Sequence, residues 1–138
     1  MVIRDYHPDD FPQVEKIWQD TGIYKVERGD TAERILQCNR HGGRFLIMED
    51  PETGQLAGTS WMTWDGRRVF LHHFCIRPSE QGKGHGRTLA IRSLEFAREK
   101  GCPMKLEVHR ENRAAVNLYR SLGFEIFEDY HVYMILNP

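Results

Sequence analysis

The sequence predicts an α/β chain, more closely an α+β mixed sheet, in the order βααβββαβαββ. The sheet is expected to be largely antiparallel with a splayed parallel pair in its middle. Three observations predict it. Apolar residues recur at helical spacing in three stretches, cap and stop signals mark a further helix, and short β-rich runs lie between them. Asp65-Gly66 between two such runs signals an antiparallel hairpin. A strand, helix, strand passage from residue 68 to 109 is too long for a hairpin and calls for a right-handed crossover to a parallel neighbour.

The elements follow in order. Val2 to Asp5 is a short first strand. His7-Pro8-Asp9-Asp10 starts a helix, with acids in the first turn, and Phe11, Val14, Ile17 and Trp18 form its stripe until Thr21-Gly22. Asp30 or Thr31 caps a second helix that His41-Gly42-Gly43 ends. Phe45 to Met48, Leu56 to Trp64 and Arg68 to Ile76 are strands, the first two joined by the turn Asp50-Pro51-Glu52-Thr53-Gly54. From about Gly84 to Lys100 the pattern is helical, with Ala90, Leu94 and Ala97 on one face and Gly101 as the stop. Lys105 to His109 is a strand. Asn112 caps a helix whose stripe is Ala115, Leu118, Tyr119 and Leu122, and Gly123 closes it. Phe124 to Glu128 and Val132 to Leu136 are expected to finish the chain as paired strands.

A chain of 138 residues suits a single domain across 1–138. The balance of 40% hydrophobic and 28% charged residues excludes a disordered chain. A net charge of −1, with basic residues scattered, calls for neither a nucleic acid nor a membrane as partner. No stretch approaches the roughly 18 apolar residues of a membrane span, and the first residues do not read as a signal peptide. A cytoplasmic place is expected. Cys38, Cys75 and Cys102 are odd in number and lack CxxC spacing, so reduced thiols are expected; a nucleophilic Cys75 beside His72 or His73 is the alternative.

The densest chemical signal is Gln81-Gly82-Lys83-Gly84-His85-Gly86-Arg87, between a strand and a helix. Glycines at alternate positions clear side chains from the backbone, so its N–H groups can converge on an anion at a helix N-terminus. Lys83, Arg87 and His85 add charge. The spacing fits no dinucleotide fingerprint, since G-x-G-x-x-G ends on Arg87 from Gly82 and on Leu89 from Gly84. The P-loop pattern is absent as well.

Gln81-x-x-Gly84-x-Gly86 resembles the Q/R-x-x-G-x-G/A acetyl-CoA motif of the GCN5-related N-acetyltransferase (GNAT) superfamily. Phe74-Cys75-Ile76-Arg77-Pro78 is similar to the strand leading into it. Asn112-x-x-Ala115-x-x-Leu118-Tyr119-x-x-x-Gly123-Phe124 is similar to the family's second motif. Residues 104–124, with Leu106-Glu107-Val108, Asn112 and Tyr119, look most like the ribosomal-protein alanine acetyltransferase branch. The resemblance implies a GNAT-like fold and transfer of an acetyl group from acetyl-CoA directly to a primary amine, without a metal. The acceptor is a protein N-terminal amine or a small molecule such as a polyamine, amino acid or aminoglycoside. A non-catalytic acyl-CoA-binding module is the reading from another class. The protein is expected to be a monomer or homodimer.

The resemblance also implies site residues. The pantetheine arm lies along the backbone of Phe74, Cys75 and Ile76, in an opening beside the strand Lys105–His109. Backbone from Gln81 through Gly82, Lys83, Gly84, His85 and Gly86 to Arg87 takes the pyrophosphate. Asn112 and Tyr119 contact the cofactor, and Tyr119 protonates the departing thiolate. Glu107 is the first candidate base and His72 the second, with water as a third route. Strand alternation puts His73 on the face opposite His72. A His72/His109 metal pair lacks a third ligand. Tyr24, Trp61, Trp64 and Tyr130 either line an acceptor pocket or pack in the core.

Overall fold

The chain enters its first helix through a turn that satisfies its own donors. In the computed structural model, which describes residues 1–138, His7 Nδ1 accepts from Asp9 N–H while the Asp10 carboxylate accepts from His7 N–H at 2.7 Å. Two of the orphan donors at a helix start are thereby used. Helix α1 (Phe11–Asp20) buries Val14, Ile17 and Trp18. Helix α2 (Ala32–Arg40) is capped by Thr31, whose hydroxyl accepts from Arg34 N–H. Asp30, the other expected cap, turns inward instead and is 3% exposed.

The strands are β1 (Val2–Asp5), β2 (Arg44–Glu49), β3 (Leu56–Trp64), β4 (Val69–Ile76) and β5 (Met104–Leu106). They form one sheet in the order β1-β2-β3-β4-β5. The first three pairings are antiparallel and β4 with β5 is parallel. The β3–β4 turn is tied by Asp65 Oδ1, which accepts from Arg67 and Arg68 N–H at 2.8 and 2.7 Å, with Gly66 at φ 89°. Helix α3 (His85–Lys100) makes the crossover. Helices α1 and α2 cover one face around Val14, Trp18, Ile35, Phe45, Ile47 and Trp61. On the other face α3 sets Ser93 Oγ 2.7 Å from Ser60 Oγ and Leu89 against Gly58. No helix is long and apolar enough to cross a membrane.

Residues 1–107 and 108–138 are two separate compact units. In the second, helix α4 (Arg113–Ser121) begins at Asn112, whose side chain accepts from Ala115 N–H at 3.3 Å. It ends as expected at Gly123, with φ 96°. Gly123 N–H bonds Arg120 O and Phe124 N–H bonds Tyr119 O.

Three expectations fail. The strands Phe124–Glu128 and Val132–Leu136 do not form. Those residues carry no ladder, and Ile126, Phe127, Tyr133 and Ile135 are exposed. A lone two-stranded hairpin is marginal in water, and nothing within 108–138 offers it a third strand. The parallel pair therefore stands at the sheet's edge and not in its middle. The fifth strand is also shorter than the expected Lys105–His109, because its ladder on β4 stops at Leu71.

Candidate active site

A β-bulge in β4 organises the site. Thr59 pairs with Cys75 and Trp61 with His72, so Ser60 alone faces both His73 and Phe74. His73 sits at φ 42°, the one non-glycine residue with positive φ. The extra residue breaks the strict alternation expected along the strand. His72 and His73 thus share a face, and both rings lie against Trp61, at 6.1 and 5.6 Å between centroids. The opposite-face expectation is overturned. Thr59 fixes the bulge from the neighbouring strand. Its hydroxyl donates to His73 O at 2.8 Å and accepts from Trp18 Nε1 at 3.0 Å.

The bulge lies just past the point where β4 leaves β5. Their ladder runs from Val69–Met104 to Leu71–Leu106, while β4 continues to Ile76 paired only with β3. Phe74, Cys75 and Ile76 lie on this length. Cys75 Sγ is 3.3 Å from Thr59 Oγ1, and burial pushes its thiol above the ordinary cysteine range. A thiol whose pKa is raised is a poor nucleophile. All three cysteines are free.

Past Ile76 the chain turns through Pro78–Glu80 into the glycine loop. Gln81 braces that turn, its Nε2 donating to Ile76 O at 2.8 Å. Gly82 and Gly84 take φ 77° and 85°, and Gly84 is the residue from which α3 departs. The N–H groups of Gly82, Lys83, Gly84, His85 and Gly86 find no acceptor within the chain. Unbonded donors at the start of a long helix suit an anion. Glu80 moderates the loop's charge. It lies 3.2 Å from Lys83 Nζ, 3.5 Å from His85 Nε2 and 3.4 Å from Arg77. Its carboxyl is held below the usual range, first by the Lys83 hydrogen bond.

Two imidazoles and a carboxylate occupy the α1/α2 side of the bulge. His72 stacks on Phe70 at 4.2 Å, and its Nε2 lies 2.8 Å from Thr63 Oγ1. Burial, then the charge of His73, pushes it down to about 4. It is neutral at pH 7 and a weak base. His73 Nε2 lies 2.8 Å from Asp30 Oδ2, and its ring meets Trp18 edge-on at 4.6 Å. Asp30 Oδ2 also accepts from Lys25 N–H at 2.7 Å. Glu107 is exposed and lies just beyond β5. Sequence reasoning missed the His73–Asp30 pair. Asp30 reads locally as a helix cap, and alternation turns His73 away.

The aromatic residues divide. Trp61 is core, at 6% exposure. Trp64 donates Nε1 to Cys102 Sγ at 3.4 Å and carries Lys100 Nζ over its ring at 4.3 Å. Tyr24 OH bonds Glu15 at 2.9 Å. Tyr130 is exposed. Within residues 108–138, Tyr119 is buried and packs edge-on against Phe124 at 5.5 Å.

Comparison with known proteins agrees with this frame. Residues 5–124 match the model of the acetyltransferase (GNAT) family. Mycothiol acetyltransferase of Thermobifida fusca is 39% identical over 94 residues, covering 61% of this chain but only 29% of that protein. An acetyltransferase of Yersinia pestis is 25% identical over 126 residues, 91% of this chain and 88% of its own length. The ribosomal-protein-S18-alanine N-acetyltransferase from Escherichia coli shares the fold, with a TM-score of 0.75 at 22% identity, over 90% of this chain and 77% of that one.

Proposed function

We infer the function from one premise: the chain belongs to the acetyltransferase (GNAT) family and is an acetyl-CoA-dependent acetyltransferase. On that premise we propose direct transfer of the acetyl group to a primary amine, with a peptide N-terminal amine as acceptor. The observation that carries it is the run of unbonded N–H groups from Gly82 to Gly86 at the start of α3, directly after the free length of β4. The loop's N–H groups, with Lys83 and Arg87, would hold the pyrophosphate. Backbone of Phe74, Cys75 and Ile76 would pair with the pantetheine arm as a strand does, and an N–H there would polarise the thioester carbonyl. Asn112 would contact the arm while capping α4. Tyr119 would give a proton to the leaving thiolate. Glu107 and His72 were the bases expected from the sequence. The depressed basicity of His72 weighs against it, and the exposure of Glu107 leaves it without a partner to hold it in place.

The peptide reading is supported by the local likeness of residues 104–124 to the ribosomal-protein alanine acetyltransferase branch. A small-molecule amine is the second reading, favoured by the 39% identity to mycothiol acetyltransferase. Titration calorimetry with acetyl-CoA tests the common part, and absence of binding at millimolar ligand sinks it. A free-thiol assay then separates acceptors. Peptides beginning Ala or Ser are compared with polyamines, amino acids and aminoglycosides. Thiol release with none of them leaves only an acyl-CoA-binding module.

A further inference from the structure

We propose that His73, held by Asp30, is the general base of this reaction, and that it restricts the acceptor to weakly basic amines such as peptide α-amino groups. The inference rests on the function proposed above and names the base and substrate class of that same site.

Position is the first ground. His73 lies two residues past Leu71, the last residue of β4 paired with its parallel neighbour, and immediately before the Phe74–Ile76 length assigned to the acyl arm. Strain is the second. A histidine at φ 42° inside a strand is costly and persists only where its surroundings enforce it. Two groups do so here: Thr59 takes the backbone carbonyl and Asp30 takes the ring.

Tautomer chemistry is the third. An ionised carboxylate only accepts, so the hydrogen between Asp30 Oδ2 and His73 Nε2 belongs to the nitrogen. The neutral ring then carries its lone pair on Nδ1, which bonds no group of the chain, and 22% of the side chain reaches solvent. Asp30 is a positioning residue, itself tied by Lys25 N–H. His72 shares the face but is spent on Thr63 and Phe70. The other titratable groups around the pair are Cys75, bonded to Thr59, Glu15 of α1, and Tyr24, Lys25 and Glu27 of the α1–α2 connection.

In the reaction, Nδ1 takes one proton from the ammonium. The freed electron pair forms the C–N bond at the thioester carbon as the C–S bond breaks. The thiolate takes the second N–H proton. The imidazolium then returns its proton to water. An imidazole works near neutrality, which sets the substrate class. At pH 7 an amine of pKa about 8 is free base in about one molecule of ten, while one of pKa about 10.4 is so in about one of 2,500.

His73→Asn tests the base, because Asn tolerates positive φ and cannot take the proton. Acetyl-CoA affinity by calorimetry should stay at the wild-type value, while kcat/KM with the fastest amine of the panel falls at least about 100-fold. The acidic limb of its pH profile should disappear, and added imidazole should restore turnover to His73→Gly. Asp30→Asn should shift the acidic limb without removing it. Wild-type turnover by His73→Asn, or a slower variant with an unchanged acidic limb and no imidazole rescue, overturns the base. A lysine ε-amine in an N-blocked peptide acetylated as fast as an Ala α-amine overturns the substrate class. Failure of the wild type to bind acetyl-CoA would instead strike the parent reading, so the two failures are distinct.

Discussion

Replacing Thr59 by Val should unfold the bulge from within, and the structure sets the size of the effect. Thr59 is wholly buried, and its hydroxyl donates to His73 O at 2.8 Å and accepts from Trp18 Nε1 at 3.0 Å, with Cys75 Sγ a weaker third partner at 3.3 Å. Val keeps the volume and removes both bonds. Trp18 is itself 0% exposed, so water cannot replace the lost acceptor. Leaving one buried polar group unpaired costs about 1–3 kcal/mol, and with two affected a loss of about 3 kcal/mol is expected. Thr59→Ser keeps the hydroxyl and loses one methyl, a cost of about 1 kcal/mol. Urea denaturation reads the difference. With a slope near 2 kcal/mol/M the midpoint of the Val variant should fall by about 1.5 M, and that of the Ser variant by about 0.5 M. A Val variant as stable as the Ser variant would refute the assignment of the bulge to the Thr59 hydroxyl.

Three other outcomes are expected. In Gly43→Ala the new Cβ would stand 2.7 Å from Met62 O and 2.8 Å from Cys38 O, both backbone atoms with no freedom to yield, so stability should fall by about 1–3 kcal/mol and Tm by at least about 3 °C; an unchanged melting curve contradicts the packing. His72 is held at about 4 in the fold against an ordinary 6.5, so between those values the unfolded chain binds the extra proton, and its contribution to stability is complete above pH 6.5 and lost as pH falls toward 4. His72→Gln should therefore flatten stability against pH in that window by up to about 1.4 kcal/mol per pH unit, and matching slopes in urea melts at pH 5 and 6 would reject the depressed value. Tyr119→Phe should lower kcat at least about tenfold with acetyl-CoA affinity unchanged, and wild-type turnover would remove its proposed role as acid.

Features governed by local sequence were legible, and features set by distant partners were not. The Gly123 helix end, the Asp65-Gly66 hairpin and the glycine loop each depend on neighbours a few residues away, and each forms as the spacing requires. The terminal strands needed a partner to pair with, and the apolar run of Val132 to Leu136 cannot supply one by itself. The site's chemistry divides along the same line. The glycine loop is contiguous. The His73–Asp30 pair joins residues 43 apart in the chain, and no periodicity in either segment announces it.

The bulge shows why the alternation rule failed at the place where it mattered. Counting by twos along a strand gives faces only while the register is unbroken, and one extra residue reverses every assignment beyond it. Here that residue is a histidine, so the usual glycine signature of a positive φ is missing. The reversal brings two adjacent imidazoles onto one face in unlike surroundings. His72 packs half-buried between Phe70, Thr63 and Trp61, which keeps it neutral at pH 7. His73 is bound through one nitrogen by a buried carboxylate and keeps part of its ring in solvent. Placed in regular alternation, the pair would straddle the sheet, and His73 could not reach the segment that carries Asp30. The strained residue in β4 thus couples two features that the sequence presents separately: the point where the parallel strands part, and the carboxylate between the first two helices.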